Sequence, residues 1–383
     1  MIASRVDSLF PSGIRAMMAL AAERARQGLP VLHMEAGQPN FPTPPHVVEA
    51  AVEAARNGFT GYTPNTGISS LRSAVAARVN DRNGLTLDEG NVCITSGAVM
   101  GLYLALMAIV EQGDEVLVPD PGWPNYHSAV SMAGGHSVAY PLHPEAGYRL
   151  HVEDLESVVT PRTRAIMINF PGNPTGAVMP TDGVRELLAF AERHDLFVVS
   201  DEVYEDFVFD GVHNSILMNG LTDRLIMVSG ASKSYAMTGW RLGWLVADST
   251  VVAAAAKLVE PIASCPSSLS QVAAETALRG PQDCVRLMRD AYARAAQHVL
   301  EVLQPPGLLP VVPDGAFYAL IDVSRSGLTS DAFARRLLTT EGVAVAPGST
   351  FGDRTGQMVR ISTACSEEDL VRGCTIIKNV LLT

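Results

Sequence analysis

Three groups of polar residues sit just beyond three short apolar runs, and their types could do chemistry together. After Ala165–Phe170 comes Pro171-Gly172-Asn173-Pro174-Thr175-Gly176. After Leu196–Ser200 come Asp201, Glu202 and Tyr204, and after Leu225–Ser229 come Ser232 and Lys233. In an open α/β sheet, ligands bind outside the carboxyl ends of the strands, so an amide, a carboxylate, a phenol and an amine would meet in one crevice. Taken singly, each is ordinary. Asn-Pro-Thr-Gly is most often a turn, an Asp after a strand often caps a helix, and a lone Lys is usually solvated. A carboxylate following Phe197-Val198-Val199, however, carries a heavy desolvation cost unless it has a partner. A further segment, Ser96-Gly97-Ala98, lies between an apolar run and a helix starting near Val99. Free backbone amides and the helix dipole there favour an anion such as phosphate.

The elements that must position these groups follow from the alternation of apolar runs and amphipathic stretches. Candidate strands are Asn91–Thr95, Glu115–Pro119, Ala165–Phe170, Leu196–Ser200, Leu225–Ser229 and Leu242–Val246. Several are apolar on both faces, as buried strands of a mostly parallel sheet should be. Between them lie helix patterns such as Thr181–His194, with Thr181 or Asp182 as the cap and Val184, Leu187, Leu188 and Ala191 on one face. The expected fold class is α/β, a sheet covered by helices on both sides. Near Gly280 the rhythm changes to a long helix, Asp283–Leu303, followed by shorter strands around Phe317–Val323 and Val343–Ala346. A large domain over 41–282 is therefore expected, with 1–40 and 283–383 forming an N-terminal arm and a smaller α+β domain.

Composition narrows the function classes. Of 383 residues, 47% are hydrophobic and 18% charged, which excludes an intrinsically disordered chain. Twenty-eight basic against 40 acidic residues give −12, the wrong sign for nucleic acid or an anionic membrane. The five cysteines form no Cys-x-x-Cys pair, so neither a disulfide framework nor a metal site is expected. Met1 to Asp7 contain no basic segment leading into an apolar run, and the apolar stretch Val92–Val110 is interrupted by Ser96, Gly97 and Gly101. A soluble cytoplasmic protein is the expectation.

The combined motifs resemble the fold-type-I pyridoxal-phosphate enzymes, specifically the class I/II aminotransferases related to aspartate aminotransferase. The resemblance runs from Glu35-Ala36-Gly37-Gln38-Pro39-Asn40-Phe41 through Gly61-Tyr62-Thr63-Pro64-Asn65-Thr66-Gly67 to Val359-Arg360-Ile361-Ser362. Its most specific part is Ser232-Lys233-Ser234-Tyr235-Ala236-Met237-Thr238-Gly239-Trp240-Arg241-Leu242-Gly243, similar to the family's lysine signature. The resemblance implies a pyridoxal 5′-phosphate cofactor attached to Lys233, which would also shuttle the substrate's proton. That work needs an unprotonated amine, obtained by desolvation and a neighbouring cation such as Arg241. Asp201, rather than Glu202, would face the pyridinium nitrogen and keep it protonated. Tyr204 and Asn173 would bond the ring's phenolic oxygen. Ser96, Gly97, Ala98, Ser232 and Arg241 would surround the phosphate, and Trp123 would stack on the ring. Arg360 would grip the substrate α-carboxylate in a bidentate fork, with Gly37 and Asn173 beside it. Tyr62 would reach the phosphate of a neighbouring subunit, which implies a homodimer.

The function implied is transfer of an amino group between an L-amino acid and a 2-oxo acid. A lyase or synthase of the same fold, acting at Cβ or Cγ as the aminocyclopropane-carboxylate synthases do on S-adenosylmethionine, would share every cofactor residue. A cofactor-sensing transcription regulator would need a DNA-binding domain, for which the segment before Gly37 is too short. Two departures bear on substrate choice. Gln38 and Asn40 stand where many relatives carry acids, and Met100-Gly101 stand where many carry Gln or Glu followed by Ala. Positions 98 to 110 contain no Lys or Arg to read a second carboxylate, which weakens aspartate and glutamate as the preferred donor.

Overall fold

The computed structural model describes residue 6, residue 9 and residues 12–383; the rest of the first eleven, including most of the Met1–Asp7 stretch, lie outside the described residues. Twelve strands are formed among the described residues: β1 Leu32–His33, β2 Val92–Thr95, β3 Glu115–Asp120, β4 His136–Pro141, β5 Thr163–Asn169, β6 Phe197–Asp201, β7 Leu225–Gly230, β8 Gly243–Ala247, β9 Tyr318–Asp322, β10 Val343–Ala344, β11 Ala346–Pro347 and β12 Met358–Ser362. Seven of them make one sheet in the order β2-β8-β7-β6-β5-β3-β4. All are parallel except β8, which runs against both its neighbours. The expected α/β class is the observed one.

The central strands are apolar on both faces because both faces are covered. Val198 and Met227 pack with Leu187 and Phe190 on one side. Val199 and Val228 pack with Leu102 and Leu106 on the other. Each such buried side chain contributes about 1.5–3 kcal/mol. Helix Ala98–Ile109 lies so close to the sheet that a Cβ on Gly101 would come within 2.9 Å of Val228 Cγ1. Gly101 is thus a packing residue. Helix Thr181–Arg193 buries Val184, Leu187, Phe190 and Ala191, but neither Thr181 nor Asp182 caps it. Extended Pro180 precedes the first turn, and the Thr181 hydroxyl donates instead to Asn214 Oδ1 at 3.0 Å.

Register places the site. Asn169 of β5 pairs with Asp201 of β6, which pairs with Val228 of β7. Gly230 pairs with Gly243, and Gly243 with Thr95. The chain segments that follow β2, β5, β6 and β7, and the one that precedes β8, therefore emerge on the same edge. A second core joins Met17, Ala21, Leu32 and Met34 to Val299, Leu303, Ile321, Phe333, Val359 and Ile377. There β1 pairs in parallel with β10, and β12 lies between β11 and β9 in an antiparallel sheet. Among the described residues, no helix is long and apolar enough to cross a membrane, and no cluster of side chains could hold a metal ion.

Candidate active site

From β7 the chain turns at once into a one-turn helix, Ala231–Ser234, that carries Lys233 and half-buried Ser232 over the sheet edge. Lys233 Nζ donates to the Gly37 carbonyl at 2.7 Å and lies 5.9 Å from the ring centroids of Tyr204 and Phe317. Burial pushes its pKa down to about 8; Asp201 opposes the shift, while Arg360 and then Arg241 add to it. Sequence reasoning offered Arg241 alone as the neighbouring cation. A fall from 10.5 to about 8 makes the neutral amine about 300-fold more abundant at pH 7. Covalent capture of pyridoxal phosphate by the apoprotein, trapped with borohydride, should therefore rise about tenfold per pH unit below 8 and level off above it. A capture rate still climbing at pH 10 would contradict this.

Asp201 ends β6 and is only 4% exposed. Burial raises its pKa to about 6, against the pull of a 2.9 Å hydrogen bond from Tyr126 Oη and of the Val203 N–H and Lys233. Its neighbour Glu202 is occupied elsewhere. It accepts from Ser200, Ser215 and the Ile216 N–H, and it pairs with His213 at 2.8 Å. On the Asp201 side, Trp123 packs edge-on against Tyr126 with centroids 5.5 Å apart.

Arg360, in β12, is 1% exposed, between the rings of Tyr318 and Phe351 at 4.4 and 4.9 Å. Its Nη1 donates to Asn173 Oδ1 at 3.0 Å and its Nη2 to the Glu35 carbonyl at 2.5 Å. Nε is buried with no partner, an unused donor on a cation. Asn173 is itself fixed, because its N–H donates to Asn169 Oδ1, whose amide donates to the Asp201 carbonyl. Tyr204 and Tyr318 share a 2.8 Å hydrogen bond between their hydroxyls. A Cβ on Gly37 would stand 2.2 Å from that Tyr318 oxygen, so only glycine fits there. Segment 35–37 thus supplies one carbonyl to each cation, and Asn40 ties its continuation to the Cys365 carbonyl at 2.9 Å.

The 96–98 turn meets Arg241. Gly97 has φ +87°, and a Cβ there would come within 2.3 Å of Arg241 Nη2. A Cβ on Gly243 would stand 2.4 Å from Ala98 N. Ser96, Gly97 and Ala98 therefore open helix Ala98–Ile109 directly under the guanidinium, and no side chain caps that helix. Arg241 itself has φ 54°, a conformation that costs a bulky residue about 1–2 kcal/mol. Tyr62 is not brought to these groups; it is 90% exposed. Sequence reasoning missed Tyr126, Tyr318 and Phe351.

These residues fit pyridoxal 5′-phosphate. A cradle that a Cβ would fill faces an arginine, a partly neutral lysine stands beside it, and a buried carboxyl waits for a cation. The fold and site together define a pyridoxal-phosphate transferase of fold type I. The chain belongs to the class I and II aminotransferases, since the family described as "Aminotransferase class I and II" matches residues 30–377. It is 39% identical to an aromatic-amino-acid aminotransferase of Thermococcus litoralis, over 99% of this chain and 98% of that one. It is also 39% identical to an aspartate aminotransferase of Pyrococcus abyssi, with the same coverage. The solved structure of Thermus thermophilus aspartate aminotransferase with maleate superposes with a TM-score of 0.95 at 38% identity, covering 99% of each chain. The protein is a pyridoxal-phosphate-dependent aminotransferase acting on amino and oxo acids, and the lyase alternative is not favoured.

Proposed function

We propose that the crevice at the sheet edge is one composite site in which Arg360 orients an α-amino acid and Lys233 moves its Cα proton. The observation that carries this reading is the double use of segment 35–37, which holds Lys233 and Arg360 through carbonyls two residues apart. Arg360, with its unpartnered Nε and two rings around its plane, would receive the α-carboxylate as a fork. Asn173, bonded to Arg360, would share that carboxylate and the ring's phenolic oxygen, and Tyr204 would donate to the same oxygen. Gly97, Ala98, Ser96, Ser232 and Arg241 would hold the phosphate, with Trp123 against the ring. Bound pyridoxal phosphate supplies a protonated ring that spreads the electron pair left when Cα loses its proton. Lys233, neutral in part at pH 7, accepts that proton at Nζ.

Helix Ala98–Ile109 has no Lys or Arg, so the recognition assigned here is of the α-carboxylate alone. Tyr62 would enter the site of a second copy, making a homodimer. Supporting this, its exposed ring lies in a loop tied to helix Ser249–Ala263 through Asn65, with Phe59 and Ile262 also exposed. Packing of residues 17–34 with 299–377 supports the division into 41–282 and 1–40 plus 283–383. The five free thiols support a reducing, cytoplasmic setting. The test is to follow the cofactor spectrum of the holoenzyme with a panel of amino acids. α-Amino acids should convert it to the pyridoxamine form, and release of ammonia without that conversion would overturn the reading.

Asp201→Asn should cut kcat about 10²–10³-fold, on the scale of losing one electrostatic partner of the reaction centre. Retention of the cofactor should fall far less, because the 96–98 cradle and Arg241 remain. Near-normal turnover in this variant would show that Asp201 does not face the ring nitrogen.

A further inference from the structure

Behind the crevice, helix Ser69–Asn83 carries Arg78 and Arg82 one turn apart. Like charges at that spacing repel, yet both point at one pair of buried carboxylates. Arg78 Nη2 lies 3.2 Å from Glu205 Oε1 and 2.6 Å from Asp206 Oδ2. Arg82 pairs with Glu205 at 2.9 Å and also with Asp206. Burial pushes the two carboxyls up, but the arginines win and hold both below the usual range. A buried ion cluster of this kind yields little net stability, because desolvation cancels most of the attraction. Its contacts suggest another use.

Arg78 also donates from Nη1 to Tyr235 Oη at 3.3 Å, and Tyr235 donates onward to Gln282 Oε1 at 2.8 Å. Glu205 Oε1 further accepts from Ser229, near the end of β7, at 3.3 Å. One guanidinium therefore joins the two residues that follow Tyr204 to the residue two past Lys233. Its Nε is buried without a partner, so its orientation is set by these bonds between segments and not by saturation of its own donors. Arg82 shares the carboxylates; among the hydrogen bonds to Tyr235 Oη, the arginine is Arg78.

We propose that Arg78 is a positioning residue for the reaction, fixing the spacing between the segment that carries Tyr204 and the segment that carries Lys233. The proposal rests on the assignment of those two residues given above. Lys233 faces Asp201 at the end of β6 and the Tyr204 ring just after it, Arg360 in β12, and Arg241 farther along its own segment. A small displacement of the 231–235 turn changes its distance to all of them, and with it the proton affinity at Nζ.

The test compares holoenzymes of Arg78→Met, Arg78→Lys, Tyr235→Phe and Arg82→Met. Arg78→Met should lower kcat about 10- to 100-fold, the scale of a misplacement of about 1 Å. Its KM should stay within about threefold, and the pH midpoint of the cofactor's absorbance should move by at least about 0.5 unit. Arg78→Lys should recover part of both. Tyr235→Phe, which keeps the ring and removes only the oxygen with its bonds to Arg78 and Gln282, should shift the midpoint while lowering Tm by no more than a few degrees, and it decides the question if Arg78→Met fails to fold. Arg82→Met should leave the midpoint in place. An unmoved midpoint in Tyr235→Phe and in any folded Arg78→Met, whether or not Tm falls, overturns the positioning role. Borohydride mapping of the wild type separates this from the underlying reading: cofactor fixed away from Lys233 removes that assignment, whereas cofactor on Lys233 with an unmoved midpoint overturns the role of Arg78 alone.

Discussion

Lys233→Ala should leave a folded protein that has lost turnover by about 10⁴-fold or more. Two contributions disappear together, the covalent hold on the cofactor and the base that takes the Cα proton, and the second alone is worth about 10²–10⁴-fold. Stability should change little. The substitution gives up one hydrogen bond, to the Gly37 carbonyl, and removes an amine whose charge is disfavoured by burial. Tm should therefore hold within about 3 °C. The chain has two other lysines, Lys257 and Lys378. Lys257 is exposed on helix Ser249–Ala263, and Lys378 is half-buried on helix Glu367–Leu382. Neither lies on a segment that emerges at the sheet edge. Borohydride reduction and peptide mapping should find the cofactor on Lys233, and a label on either of the others would sink the assignment.

Why Lys233, Asp201 and Asn173 were legible in the sequence, while Tyr126, Tyr318 and Phe351 were not, comes down to where each gets its meaning. The first three follow runs such as Phe197-Val198-Val199, apolar on both faces because helices cover both sides of the sheet. A polar residue ending such a run is conspicuous. Tyr126 matters because it donates to Asp201, 75 residues away, and Tyr318 because it meets Tyr204 at a separation of 114. Pairings of that kind leave no local pattern. Strand β4 escaped for a different reason: it is the sheet edge, and His136, Ser137 and Ala139 are exposed, so no apolar run marks it. Strand β8 was read as a strand, but its reversed direction was not foreseen. Residues 231–242 hold only short helical turns, too little for the covering helix that a parallel crossover needs, so β8 folds back beside β7.

Arg360→Lys separates substrate recognition from cofactor chemistry. A guanidinium offers two parallel N–H groups to a carboxylate, and an ammonium cannot reproduce them in one plane. The lysine would also have to replace the bonds to Asn173 Oδ1 and the Glu35 carbonyl at a position only 1% exposed, between the Tyr318 and Phe351 rings. A point charge can satisfy one of those acceptors and still face the substrate, but not both. Loss of one member of a buried charge pair costs about 2–5 kcal/mol. kcat/KM should accordingly fall about 30- to 5,000-fold for every α-amino acid. The spectrum of the resting holoenzyme should shift little, because lysine keeps a cation at position 360 and, apart from Asn173, which Arg360 bonds, the proposed phosphate and ring contacts lie on the 96–98, 123, 201–204 and 232–241 segments. Simple amines that lack a carboxylate never used the fork and should react at nearly the wild-type rate. Equal losses for amines and amino acids would mean that Arg360 holds the crevice together and does not orient the substrate.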